Sequence, residues 1–223
     1  MKKVMPRILI GAGILLLLAA VGLFVYSRLQ DYMASQRAQR VLEQVLSDGW
    51  NQTEYVVPSS GFNPSLRSVV ALENPDDDLD EDLDDEEDSG GSWEPIVYSV
   101  VGILEIPRLS RRLPVLDRST YPLLNISVCM FSGRIDEKPV RLVIAGHNLR
   151  SHFGEIKNLS VGDEVFFTTR EEVTLRYSVI RIDACHKDAA SAVQEGDDWD
   201  LTLLTCQRDR TMRTLVRCQE LSE

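Results

Sequence analysis

The chain has 223 residues, 35 acids against 24 Lys plus Arg, and a formal charge of −11. That balance argues against general nucleic-acid binding, which leans on Lys and Arg contacts to phosphate, while leaving room for a local basic patch. The length allows one ordinary domain with appendages, or two small ones. Hydrophobic residues at 43% and charged ones at 26% look average, but two opposite local biases lie beneath that average.

Residues 1–7 carry Lys2, Lys3 and Arg7 without an acid and read as a cytoplasmic tail. Residues 8–26 are 19 uncharged positions, including Leu15 to Leu18. About 20 apolar residues at 1.5 Å rise span a bilayer core, so this segment reads as a single-pass anchor with the basic flank inside. A cleaved signal peptide is the rival reading, with Ala20-Val21-Gly22 at a plausible cleavage spacing, but Leu23, Phe24 and Val25 carry the apolar run past it. Either reading exports the rest of the chain.

Residues 27–46 form an expected helical stalk, polar with recurring Leu29, Tyr32, Met33, Val41, Leu42, Val45 and Leu46, and Ser47-Asp48-Gly49 could end it. Residues 47–95 read as a flexible linker broken by Pro58, Gly61, Asn63-Pro64 and Asn74-Pro75. Within it, residues 76–88 hold 11 acids in 13 positions. Such a run repels itself and has little to bury, so disorder is expected. An EF-hand count from Asp76 puts Glu81 where the turn glycine belongs, so the run reads as a solvated spacer. A flexible linker of about 45 residues would span roughly 35–40 Å.

Residues 96–223 are the expected folded domain. Val97 to Ile106, Val140 to Ala145, Glu164 to Thr169, Leu201 to Cys206 and Met212 to Cys218 are short apolar or β-branched runs. Val173, Leu175, Tyr177 and Val179 alternate with polar residues, the mark of a half-buried strand. Short strands separated by turns predict a mainly β fold, a barrel or a sandwich.

Four cysteines and three histidines carry the candidate chemistry. Cys129, Cys185 and Cys218 sit among apolar residues and read as buried free thiols. Cys206 ends a strand beside Gln207-Arg208-Asp209-Arg210, an electropositive setting of the kind that activates a thiol; an incidental thiol is the competing reading. His147 follows Val143-Ile144-Ala145-Gly146, also at a strand end, where a structural histidine is the alternative. His152 and His186 lie in polar contexts and read as surface residues. Arg213 opens the last strand, and a hairpin from Cys206 would place it across the ladder, where it could favour thiolate and hold an oxyanion; an edge-strand surface arginine is the other reading. No zinc spacing, Gly-rich phosphate loop or serine elbow occurs, so neither metal nor cofactor is expected.

Three stretches together resemble the sortase family. Gly102-Ile103-Leu104-Glu105-Ile106-Pro107 with Leu113-Pro114-Val115 is similar to its opening strands. Ile144-Ala145-Gly146-His147-Asn148, continued by Ser151-His152-Phe153-Gly154, Leu159 and Gly162-Asp163, resembles its histidine motif. Thr202-Leu203-Leu204-Thr205-Cys206 matches its TLxTC motif, with Arg213 where the family's arginine precedes the last strand. The resemblance covers about residues 97 to 220. It implies a β-barrel of about eight strands with short helices. It implies a membrane-anchored cysteine transpeptidase with its domain outside the cell. Such an enzyme cuts an LPxTG-like carboxy-terminal sorting signal of surface proteins and passes the acyl group to a peptidoglycan or pilin amine. In that scheme Cys206 is the nucleophile, His147 the acid and base, and Arg213 the oxyanion group, with Thr205 and Asn148 binding substrate. The short tail after Cys218 suggests a class B or class D-like member. A hydrolytic cysteine peptidase with the same dyad, or a non-catalytic tethered binding module, are the alternatives.

Overall fold

The computed structural model describes residues 5–50, 52, 54–56, 96–135, 141–207 and 211–221. The acidic run 76–88, most of the expected linker, and Arg208 and Arg210 lie outside these residues.

One helix, α1, runs unbroken over Met5–Asp48. No Gly or Pro falls between Gly22 and Gly49, so anchor and stalk have nothing to separate them. Gly49 ends it with φ +57°, the left-handed turn that glycine adopts without steric cost. Described side chains from Ile14 to Tyr26 are exposed, and α1 is long and apolar enough to cross a membrane by length and composition. Beyond them, Ala34, Ala38, Val41 and Val45 are buried. Their i, i+4, i+7, i+11 spacing is one helical stripe. Val41 and Val45 join an apolar cluster with residues of the folded domain, so the stalk lies against that domain.

Part of the expected linker is also strand. Strand β1 (Tyr55–Val56) pairs antiparallel with β2 (Val97–Tyr98), and the Tyr55 and Tyr98 rings stack with centroids 5.6 Å apart. Arg170 Nη2 donates to the carbonyls of Trp50 and Gln52. The segment between α1 and β1 is therefore pinned to the domain.

The domain is an eight-stranded closed barrel. Its strands are β3 (Val100–Ile106), β4 (Arg111–Leu116), β5 (Val128–Arg134), β6 (Arg141–Ala145), β7 (Glu164–Thr169), β8 (Thr174–His186), β9 (Leu201–Cys206) and β10 (Met212–Glu220). The order around the barrel is β10-β8-β7-β3-β4-β5-β6-β9, with β4–β5 and β6–β9 parallel and the other neighbours antiparallel. Two short helices, α2 (Tyr121–Leu124) and α3 (Ala190–Gln194), decorate it. The barrel matches the expectation, with differences in detail, among them β5, which no apolar run announced. The run Val97–Ile106 breaks at Ser99 into β2 and β3, and the alternating strand from Val173 continues to His186.

Alternation sorts the side chains into two cores. Ile144 and Leu203 enter one cluster with Leu104, Phe167, Val216 and Ala38 of α1, while Val143 and Leu204 enter the other with Leu215, Trp199 and Val41 and Val45 of α1. Strands β6 and β9 are thus covered on both faces, which is why they read as near-continuous apolar runs.

Arg217 shows how the second face is closed. It is 2% exposed. Its Nη1 donates to Val193 O and Thr202 Oγ1, both at 2.7 Å, and its Nη2 to Ala192 O at 2.6 Å. The guanidinium also lies 4.6 Å from the Trp199 ring centroid. These bonds tie the β8–β9 connection, including α3, to β10.

Candidate active site

The register of two strands brings His147 and Cys206 together. Strands β6 and β9 run parallel, with Ala145 beside Leu204. His147 and Cys206 each lie two residues beyond that pair, at the ends of neighbouring strands. Two bonds carry the pairing past the ladder: Gly146 N donates to Leu204 O at 3.0 Å, and Thr205 Oγ1 donates to Gly146 O at 2.8 Å. Thr205 is buried, so its hydroxyl is a strap between the two chains. It also lines the cleft described below.

Gly146 is required here by close approach. A Cβ on it would stand 2.8 Å from both Val128 and the Phe153 ring. Phe153 is fully buried, and its N–H donates to His147 O at 3.1 Å, folding residues 147–153 into a tight loop. The Tyr121 ring meets the imidazole edge-on at 5.8 Å. Burial pushes the His147 pKa below its ordinary value.

On the other side of Cys206, β10 places Arg213 directly across the ladder. Its Nη1 is 3.8 Å from Cys206 Sγ. Both side chains are partly exposed, so the pair is open to a ligand. His147, Cys206 and Arg213 therefore form a row across three successive strand ends. The row continues to Cys185 of β8, which is also in register with Arg213. Cys185 is half-buried rather than buried, because it lies at this open edge. Its thiol pKa is raised by burial, an effect partly opposed by Arg213 and Arg217. Cys129 and Cys218 are buried and free, as expected, and burial raises both thiols, Cys218 to about 12.

A cleft of about 400 Å³ opens beside Cys206, lined among others by Asn148, Phe153, Lys157, Thr205 and Thr214. Asn148 is exposed at its rim. Lys157, which no sequence pattern singled out, supplies a cation to the same wall. Among the described residues no group of three His, Cys, Asp or Glu side chains is placed to hold a metal ion.

His152 departs from its expected surface position. It is 1% exposed, and neither ring nitrogen makes a hydrogen bond of good geometry. The tight 147–153 loop draws it inward next to Phe153. Burial chiefly, with charge on His147 and Arg111 adding and the Ile126 backbone partly offsetting, lowers its pKa to about 4. It is held neutral at physiological pH. His186 is exposed as expected, 3.1 Å from Asp188.

Comparison with known proteins agrees with this arrangement. Residues 104–221 match the family described as Sortase, sortase domain. Sortase A of Bacillus anthracis is 28% identical over 123 residues, covering 52% of this chain and 58% of that protein. The chain thus matches under two thirds of that relative's length. The structure of sortase C from Clostridium perfringens SM101 aligns with a TM-score of 0.50 at 27% identity, over 56% of this chain and 71% of the other. Sortase A from Corynebacterium diphtheriae aligns with a TM-score of 0.51 at 20% identity, over 56% and 62%, a likeness of fold. The relatives carry class names A and C, so they fix the family and leave the class open. With a family match over more than half its length and an eight-stranded barrel of the same fold, the chain belongs to the sortase family.

Proposed function

We propose that the protein is a membrane-anchored cysteine transpeptidase acting on a carboxy-terminal sorting signal of surface proteins. The observation that carries this reading is the row of His147, Cys206 and Arg213 on adjoining strand ends, with Arg213 Nη1 3.8 Å from the thiol. Cys206 as thiolate attacks the carbonyl carbon at the scissile bond. A C–S bond forms, and the carbonyl electrons move onto oxygen, where Arg213 donates hydrogen bonds. The intermediate collapses, the C–N bond breaks, and imidazolium at His147 gives its proton to the leaving amine. The incoming amine attacks the thioester, passes a proton to His147, and the thiolate departs. Atoms and charge are then restored. Asn148 and Thr205 border the cleft beside the thiol and are proposed to contact the peptide.

The donor would carry an LPxTG-like motif, and the acceptor would be a peptidoglycan or pilin amine. Helix α1 would cross the cell membrane once, with the amino terminus cytoplasmic and the barrel outside. The exposed apolar stretch Ile14–Tyr26 beside a basic amino-terminal flank supports that placement.

The test is incubation of the protein with a library of sorting-signal peptides, with and without an added amine, read by mass spectrometry. The expected results are a thioacyl adduct on Cys206, absent in Cys206→Ala, and an amide product that depends on the amine. Hydrolysis alone under saturating amine would favour a peptidase. No adduct with any peptide would favour a binding module.

A further inference from the structure

His147 lies two residues past the end of β6, beyond the bonds that Gly146 makes with Leu204 and Thr205. Its carbonyl is held within its own loop, by the N–H of Phe153 at 3.1 Å. That loop is drawn around Leu149, whose carbonyl accepts from His152 N at 3.0 Å and from Gly154 N at 2.8 Å. The place of the imidazole therefore depends on the loop keeping its shape.

Two other elements grip the middle of the loop at Arg150. Asp31 Oδ1 of α1 accepts the Arg150 N–H at 3.2 Å, and Arg111 Nε at the start of β4 donates to Arg150 O at 2.9 Å. Both backbone polar groups of Arg150 are thus satisfied from outside the loop. Its far end is closed by charge. Glu155 pairs through one carboxylate oxygen with Arg111 at 3.2 Å and through the other with Arg150 at 3.1 Å. The Arg111 and Glu155 side chains are only 27% and 25% exposed, so this pair is shielded from solvent better than an ordinary surface ion pair. A carboxylate that bridges two guanidiniums, one of them also bonded to backbone, leaves the loop few ways to shift.

We propose that Arg111, Glu155 and Asp31 are positioning residues for His147, and that α1 is thereby part of the catalytic support. This rests on the transpeptidase reading above. In that reading the imidazole must meet the leaving amine, and then the incoming one, at hydrogen-bond distance. A misplacement of about 1 Å costs about 10²-fold in such a step. The polar groups of the three residues are engaged with the loop, so they act through it and not on the peptide. Loosening this brace lowers kcat and leaves KM nearly unchanged, because the cleft wall stays in place.

The experiment uses the full chain in detergent micelles. Asp31→Ala, Glu155→Gln and Arg111→Met each cut one arm of the brace, while Asp31→Asn keeps an oxygen that can accept the Arg150 N–H. All three positions are partly exposed, so the barrel should fold in each variant. The first readout needs no turnover. It is the titration of His147 by NMR on histidine-labelled protein, in which the chain's three histidines give three signals and His147→Gln assigns one. A loosened loop lets water reach the ring, so the His147 pKa should rise toward its ordinary value in Asp31→Ala and Glu155→Gln, and stay at the parental value in Asp31→Asn. Loss of a nearby negative charge alone would lower it, so an unchanged or lowered pKa in both Asp31→Ala and Glu155→Gln would overturn the brace. The second readout is amide formation from a sorting-signal peptide and an amine. The three cutting variants should lose about tenfold in kcat with KM within about twofold of the parent, and Asp31→Asn should keep most of its kcat. Equal losses in Asp31→Ala and Asp31→Asn would overturn the part given to α1. A raised KM at unchanged kcat would make these residues binding groups and overturn the proposal. No reaction of the parent with any peptide would instead sink the transpeptidase reading, and the His147 titration would still decide the brace.

Discussion

Arg213 stands directly across the ladder from Cys206, with its guanidinium 3.8 Å from the thiol sulfur. A donor fixed this way by a strand pair needs no rearrangement to meet a developing oxyanion. Arg213→Ala is expected to lower kcat/KM by about 10²–10³, the usual cost of one oxyanion donor. Arg213→Lys should recover only part of this, since an ammonium cannot present the planar fork. Acylation rates beside Tm check it; an unchanged rate in Arg213→Ala would remove the residue from the reaction.

Burial lowers the His147 pKa, because the buried ring disfavours the imidazolium. The acid limb of the kcat/KM profile reports the group that titrates first, and is therefore expected below pH 6.5, the ordinary histidine value. Opening the site by Tyr121→Ala, which removes the ring beside the imidazole, should move that limb upward. An acid limb above 6.5 in the native protein would contradict the assignment.

His152 offers a separate test on stability. Its folded pKa of about 4 lies below the unfolded value near 6.5. The unfolded chain therefore binds more protons between these values, and stability rises with pH across that window. The contribution is whole above pH 6.5 and is lost as pH falls toward 4, by roughly 3 kcal/mol in total. His152→Leu should flatten the dependence and keep or raise stability at pH 7, since it removes two buried nitrogens that lack a hydrogen bond of good geometry. Urea melts at pH 4.5, 5.5 and 7 would show it.

Thr205→Val removes the strap to Gly146 O while keeping the shape of the side chain. The expected loss is about 1–2 kcal/mol, the cost of leaving a buried acceptor short of a partner. Activity should fall further than stability implies, because the strap holds the His147 chain beside Cys206. Equal Tm and rate in this variant would show that the ladder alone sets the spacing.

Arg217→Met exchanges a buried cation for an apolar chain of similar length. Three accepting oxygens, on Val193, Ala192 and Thr202, lose their donor. A loss of about 3 kcal/mol is expected, with protease cutting first in the β8–β9 connection that these bonds secure. Cutting elsewhere first would mean that the connection is held by other contacts.

Much of the site was legible because it is built from strand ends, and strand ends are local. Thr202 to Cys206 and Val143 to His147 show their apolar runs and their stops in the sequence, and antiparallel pairing across a short connection aligns Arg213 with Cys206. Burial of His152 was not legible, since it depends on Phe153 packing under Gly146 while the flanking residues Arg150 and Ser151 are polar. The seat of α1 was hidden for another reason. Of the apolar positions that mark the stalk, Val41 and Val45 are buried, but Leu29, Tyr32, Met33 and Leu46 stay exposed, and the amino-terminal half of the buried stripe is carried by Ala34 and Ala38. Small side chains let a helix lie close, but they weigh little in a pattern of hydrophobicity. Strand β5 was missed because its outer half, Ser132-Gly133-Arg134, bulges and turns polar.

The pairing of Tyr55–Val56 with Val97–Tyr98 settles what the acidic insertion can and cannot change. Both of its ends belong to one ladder, so its residue count fixes no separation anywhere in the molecule. Closing such a loop carries an entropy cost that grows only with the logarithm of its length, about 0.6 kcal/mol for each doubling. Residues 57–95 can thus lengthen, shorten or trade aspartate for serine through evolution at little cost in loop closure. What they contribute is net charge, and the protein can retune that charge without moving its cysteine.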